Sequence, residues 1–133
     1  MHQLDTSTVV AFLRGNRRAA DRLTPVFRQT AVSTPALAEL FHGVFASRRP
    51  AENMRKLRAL LAEVSIVPFD AAAAETYGRI RDDLDRRGQP IGEMDLLIGS
   101  VAVTHGATLV THNTRHFARI DGLRVEDWLA EPT

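Results

Sequence analysis

The stretch Ile91-Gly92-Glu93-Met94-Asp95-Leu96-Leu97-Ile98-Gly99-Ser100-Val101-Ala102 decides how this chain folds. A helix drawn through it is apolar on most sides, and such a helix belongs inside a domain. One carboxylate, Asp95, falls near its start. An ionised carboxylate there is costly unless a cation or hydrogen-bond donors meet it. The helix dipole helps a little; a metal ion helps far more. The flanking sequence is therefore read for further carboxylates that could converge on Asp95.

Immediately upstream, residues 65–69 form a β-prone run. Asp70 is placed to cap a long helix with Ala73, Tyr77, Ile80 and Leu84 facing inward, and Gly88 closes it. Downstream, residues 107–111 are β-prone again, and a last strand is expected at 123–125 after the Asp121-Gly122 turn. At the other end, a short strand at 2–4 leads through Asp5 into a helix carrying Val9, Val10, Phe12 and Leu13, ending at Gly15. Residues 16–29 read as one helix bent at Pro25. After a strand at 31–34, Pro35 opens a helix whose apolar stripe is Leu37, Leu40, Phe41, Val44 and Phe45. Pro50 breaks it, and Met54, Leu57, Leu60, Leu61 and Val64 mark the next.

Short β runs alternating with helices predict an α/β domain with a mainly parallel sheet of about five strands. In such sheets ligands gather beyond the carboxyl ends of the strands, where the strand order reverses. Asp5 directly follows the first strand and Asn113 directly follows the fourth; Glu39 and Asp95 lie in early turns of helices. These four can share one crevice. Two of them also have a plainer reading: Asp5 as a helix N-cap, Glu39 as a solvated or dipole-favoured side chain.

The bulk properties set few limits. A chain of 133 residues suits one domain, here expected over residues 1–133. Its net charge of +1 selects no partner. The absence of cysteine excludes disulfides, thiolate metal sites and a cysteine nucleophile. No apolar run reaches the ~18 residues of a membrane span, and the first residues lack the basic and apolar regions of a signal peptide. A soluble cytoplasmic protein without membrane association is the expectation.

Four ordered blocks carry a resemblance. They are Leu4-Asp5-Thr6-Ser7; Ala38-Glu39-Leu40; the residues around Asp95; and Leu109-Val110-Thr111-His112-Asn113 followed by Arg115-His116-Phe117. Together with the closing Gly122-Leu123-Arg124-Val125-Glu126-Asp127-Trp128, they resemble the PIN-domain nucleases, in particular the VapC-type toxins of toxin–antitoxin pairs. The resemblance implies a PIN-like three-layer α/β domain with strand order 3-2-1-4-5, acting as a metal-dependent endoribonuclease. Asp5, Glu39 and Asp95 match the family's catalytic and metal-binding acids, for Mg²⁺ or Mn²⁺. Asn113 stands where a fourth acid is common, as a weak ligand or water holder, and Ser7 stands where Asn is frequent, orienting Asp5. With three charges, one well-bound metal is expected rather than two. The resemblance further implies cleavage leaving a 5′-phosphate and a 3′-hydroxyl, an RNA substrate, a cognate antitoxin and a homodimer.

The chemistry fits independently of the name. Phosphodiester hydrolysis needs an activated water and stabilised oxyanions, and a hard cation held by carboxylates supplies both. Arg115 is a candidate phosphate contact. Glu93, two residues before Asp95, points elsewhere on the helix. His112 and His116 have zinc-compatible i, i+4 spacing but no third ligand nearby, so a surface or RNA-facing position is expected. Two other classes stay open: a catalytically weak or inactive docking module, with the Phe41, Val44, Phe45, Met54 and Leu57 stripe receiving a partner helix, and a DNA-directed nuclease.

Overall fold

Five short parallel strands form the sheet of the computed structural model, which describes residues 1–131. They are β1 (His2–Leu4), β2 (Thr30–Ser33), β3 (Ser65–Val67), β4 (Thr108–Val110) and β5 (Arg124–Glu126), in the order β3-β2-β1-β4-β5. Helices α1 (Thr6–Leu13), α2 (Arg17–Leu23), α3 (Thr34–Phe45), α4 (Pro50–Leu61), α5 (Ala71–Arg87), α6 (Glu93–Thr104) and α7 (Thr114–Phe117) connect and flank the strands. The expected strand order is therefore the observed one. Successive strands add on one side of β1 up to β3 and on its other side from β4 onward. The reversal falls between β1 and β4, which pair in register from His2 against Thr108 to Leu4 against Val110.

The local signals act as their chemistry dictates. The Asp70 carboxylate accepts the Ala73 N–H at 3.0 Å and starts α5, and Gly88 ends it at φ +65°, a conformation that suits glycine. Ser33 caps α3 by accepting the Ala36 N–H, with Pro35 in the first turn. In α6, Leu96, Ile98, Gly99, Ser100, Val101 and Ala102 are all buried, so the quoted stretch is the internal helix its composition requires.

Three expectations are corrected. Residues 16–29 are not one bent helix: α2 stops at Leu23, and a 3₁₀ segment (Thr24–Gln29) follows, with Val26 outside helical geometry. Pro25 has no N–H to give an α-helix there. The third strand ends at Val67 rather than residue 69, because Pro68 has no donor for the ladder. Phe45, assigned to the inward stripe of α3, is 70% exposed, while Leu40 and Val44 are buried. The helix turns its last apolar position away from the core.

Gly99 shows how closely α6 is approached. A Cβ there would lie 2.6 Å from Ile120 Cδ1 and 3.6 Å from Phe117 Cδ1. Gly99→Val should therefore cost about 1–3 kcal/mol by overpacking, read as a lower urea midpoint; an unchanged midpoint would show that Ile120 yields freely. Among the described residues, no helix is long and apolar enough to cross a membrane.

Candidate active site

Asp5 occupies the single residue between β1 and α1, at the reversal of the sheet. Its backbone is extended (φ −75°, ψ 159°), as for an N-cap, but its side chain makes no capping bond. Its carbonyl accepts the Thr8 and Val9 N–H groups, while its own N–H donates to Val110 at 2.9 Å, anchoring it to the end of β4. The plain capping role therefore fails, and the carboxylate is free for other work.

Asp5 is 2% exposed. Its Oδ2 accepts the Thr111 hydroxyl at 2.7 Å and the Ser7 hydroxyl at 3.1 Å. The same hydroxyl oxygens accept N–H groups from the loop after β4: His112 to Ser7 at 3.1 Å and Asn113 to Thr111 at 2.9 Å. Two hydroxyls thus fix both the Asp5 rotamer and the loop that carries Asn113. Asp5 Oδ1 makes no hydrogen bond among the described residues.

Asp95 enters from the first turn of α6, half-buried. Burial raises its carboxyl above the ordinary carboxylate range; the negative charge of Asp5 adds to this, and His116 opposes it. The opposing contact is His116 Nδ1 to Asp95 Oδ2 at 3.3 Å. Two acids repelling each other in a place short of water are what a divalent cation relieves, and oxygen donors suit a hard one.

Glu39 is held on α3 by the Thr6 hydroxyl, which donates to Oε1 at 2.7 Å. Thr6 follows Asp5 directly, so one turn of chain links the two acids. Glu39 also borders a cleft of about 290 Å³ walled by Val10, Leu13, Leu40, Val44 and Leu57; Asp5 and Asp95 lie outside that lining. Among the described residues, no three His, Asp or Glu side chains are close enough as placed to enclose a metal ion together. Asp5 and Asp95 are near enough for their charges to interact, and Glu39 is tied to Thr6, the residue after Asp5.

The remaining candidates separate. Ser7 sits against Asp5 as expected. The exposed Asn113 contributes through its backbone, its N–H to Thr111 and its carbonyl to the His116 N–H. Arg115 is exposed and has no polar partner among the described residues, so it is available to solvent or a ligand. Glu93 bonds Tyr77 and Arg81, away from Asp95 as the helical spacing required. His112 and His116 do not share a ligand; His112 contacts Asp127 at 3.1 Å and His116 contacts Asp95. Sequence reading gave Thr111 no role and His116 only a surface or RNA-facing one. The sequence signals were slight: a hydroxyl ending a strand, and a histidine one helical turn past Asn113.

Comparison with known proteins bears on the fold that carries these residues. The PIN-domain family pattern matches residues 3–123. Ribonuclease VapC2 of Rickettsia felis is 42% identical over 98 residues, 74% of this chain and 73% of that protein. The tRNA(fMet)-specific endonuclease VapC of Shigella flexneri is 39% identical over 97 residues, 73% of this chain and 74% of that one. Among solved structures, the crystal structure of VapBC2 from Rickettsia felis bound to a promoter DNA fragment superposes with TM-score 0.89 at 35% identity, covering 96% of this chain and 98% of that one. VapBC-5 from Mycobacterium tuberculosis, a member of the VapBC family of toxin–antitoxin systems, gives TM-score 0.70 at 27% identity, covering 95% of each chain.

Proposed function

The chain belongs to the PIN-domain family and, within it, to the VapC-type ribonuclease toxins of toxin–antitoxin pairs, and from that membership we propose that Asp5, Asp95 and Glu39 form its Mg²⁺- or Mn²⁺-dependent hydrolytic centre. The observation that carries the site is Asp5. A carboxylate almost withdrawn from solvent, with one oxygen fixed by two hydroxyls and the other without a hydrogen bond, is preorganised to accept a cation beside Asp95.

When bound, the cation would lower the pKa of a water and stabilise charge on the phosphoryl oxygens. The chain's own residues do the positioning. Ser7 and Thr111 hold Asp5 Oδ2 against rotation, which leaves Oδ1 available to a cation without a search over rotamers. Glu39, aligned by Thr6, is the base that orients the attacking water or a third ligand. Asn113 lies on the rim as a neutral amide that can hold a water, and Arg115 meets the RNA backbone. Hydrolysis leaves a 5′-phosphate and a 3′-hydroxyl.

The Shigella flexneri relative named for tRNA(fMet) makes initiator tRNA the first substrate to assay. Wild type should cut it with Mg²⁺ or Mn²⁺ and stop with EDTA, while Asp5→Ala and Asp95→Ala remain inactive. Full activity of either variant in a clean preparation overturns the assignment. Equal cutting of single-stranded DNA would move the substrate class. We also place this protein with an antitoxin, as in the VapBC complexes, and expect a homodimer within that assembly; co-expression with the neighbouring gene followed by mass measurement of the complex tests both.

A further inference from the structure

Gly43 stands in the interior of α3, where glycine is a poor helix former. Nothing in the fold asks for it: its φ is not positive, and a Cβ built there would meet no atom within 4 Å. What the missing side chain leaves is room, because Gly43 lines the cleft of about 290 Å³ that Glu39 borders. That volume lies at the foot of the ~300–1,000 Å³ range of ligand pockets.

The cleft has a polar handle as well. The Ser47 hydroxyl donates to the Val44 carbonyl at 2.6 Å, so its oxygen is left to accept, and the Asn53 Nδ2 donates to it at 2.9 Å. Asn53, which lines the cleft, is thereby fixed with Oδ1 turned away from Ser47, and that oxygen accepts nothing among the described residues. An apolar side chain seated here would bury an acceptor unpaired. A nucleobase, in contrast, offers a flat face for the apolar walls and an N–H on its pairing edge for the acceptor.

The rim is cationic. Arg14 and Lys56 line the same cleft. Residues 48–58 hold five cations, Arg48, Arg49, Arg55, Lys56 and Arg58, against one acid, Glu52, in a chain of net charge +1. Glu52 is shared between Arg49 at 3.5 Å and Lys56 at 3.8 Å. The side chains of Arg14, Arg48 and Arg55 have no polar partner among the described residues. Surplus positive charge around an apolar slot suits a polyanion whose bases are unpaired. We propose that this cleft seats one unpaired base of the RNA strand being cut, with Arg14 and Lys56 on the phosphates that flank it. The inference rests on the reading of Asp5, Glu39 and Asp95 as the hydrolytic centre, since Glu39 joins the cleft to that centre through Thr6.

Fluorescence anisotropy with a short end-labelled single-stranded RNA in EDTA reads binding without cleavage, and Mn²⁺-supported cutting of the same RNA is followed in parallel. Gly43→Leu fills the cleft. It should melt at or above wild type, because leucine is the better helix former, yet weaken binding about tenfold and slow cutting at low RNA concentration to match. Arg14→Gln and Lys56→Gln should each lower the slope of log affinity against log salt by about 0.7. Arg86→Gln, on α5 and paired with Asp82, should leave it unchanged. If wild type cuts RNA but Gly43→Leu binds and cuts equally well, or the slope ignores Arg14 and Lys56, this inference fails alone. If Gly43→Leu keeps RNA binding and instead loses a co-expressed antitoxin, the cleft is a protein socket and the inference fails in the same way. If wild type cuts no RNA with Mg²⁺ or Mn²⁺, the hydrolytic centre fails and the role of the cleft with it.

Discussion

Asp95→Asn should abolish RNA cleavage and at the same time make the metal-free protein more stable. The Asp95 carboxyl is raised above its ordinary value, first by burial and then by the charge of Asp5, with His116 opposing. A raised folded-state pKa means the native protein holds that proton more tightly than the unfolded chain. The site then contributes no penalty below the ordinary carboxylate value of 3.8. As pH rises from there through the raised folded-state value, stability falls, and above that value the full cost of the ionised pair is present. An amide of the same shape avoids that cost. In EDTA at pH 7, Asp95→Asn should melt above wild type, and the gap should close as pH approaches the low end of that window.

Saturating Mn²⁺ should reverse the order. Wild type gains stability by binding the ion in its native state, and the variant gains little. Cleavage should fall by about 10²–10³-fold or more, the scale of removing one group that stabilises developing charge. An Asp95→Asn protein that melts below wild type in EDTA, or that cleaves RNA normally, is incompatible with a site strained for metal.

The helix carrying Asp95 was legible because its signal is local. Leu96, Ile98, Val101 and Ala102 are apolar in one short run, and burial follows from that alone. The strand order was legible for a different reason: it came from resemblance across four ordered blocks, since short strands such as His2–Leu4 carry little pattern of their own. Gly88 and Pro35 acted through backbone chemistry that no tertiary context overrides. Phe45 escaped because helical spacing names a face without fixing its angular width, and the contacts of α3 stop short of it.

Within the site, Asp5, Glu39 and Asp95 were legible as types at strand and helix ends. Their restraints were not. Thr111 reaches Asp5 across 106 positions and His116 reaches Asp95 across 21, so neither bond leaves a spacing in the sequence. Hydroxyls are also common enough that a Thr closing a strand draws no notice. What decides their roles is where the β4 loop crosses the end of β1, and that is a property of the sheet.

Phe117→Ala should cost about 3–5 kcal/mol of stability, the range for truncating a buried aromatic. Phe117 is the largest fully buried side chain. Its ring lies beside Gly99 on α6, where a Cβ would stand 3.6 Å from Cδ1, so it fastens α7 to the helix that holds Asp95. For a chain of this size that loss lowers Tm by roughly 10–15 °C. The same change should loosen the site, because Asn113 and His116 ride on the segment that Phe117 pins. Mn²⁺ affinity measured at low temperature, where the variant is still folded, should therefore fall with stability. Phe117→Leu keeps most of the apolar volume and should lose less of both. If Phe117→Ala melts within a few degrees of wild type, the anchor is elsewhere; if it melts low but binds Mn²⁺ normally, the loop keeps its shape through the Ser7 and Thr111 hydroxyls alone.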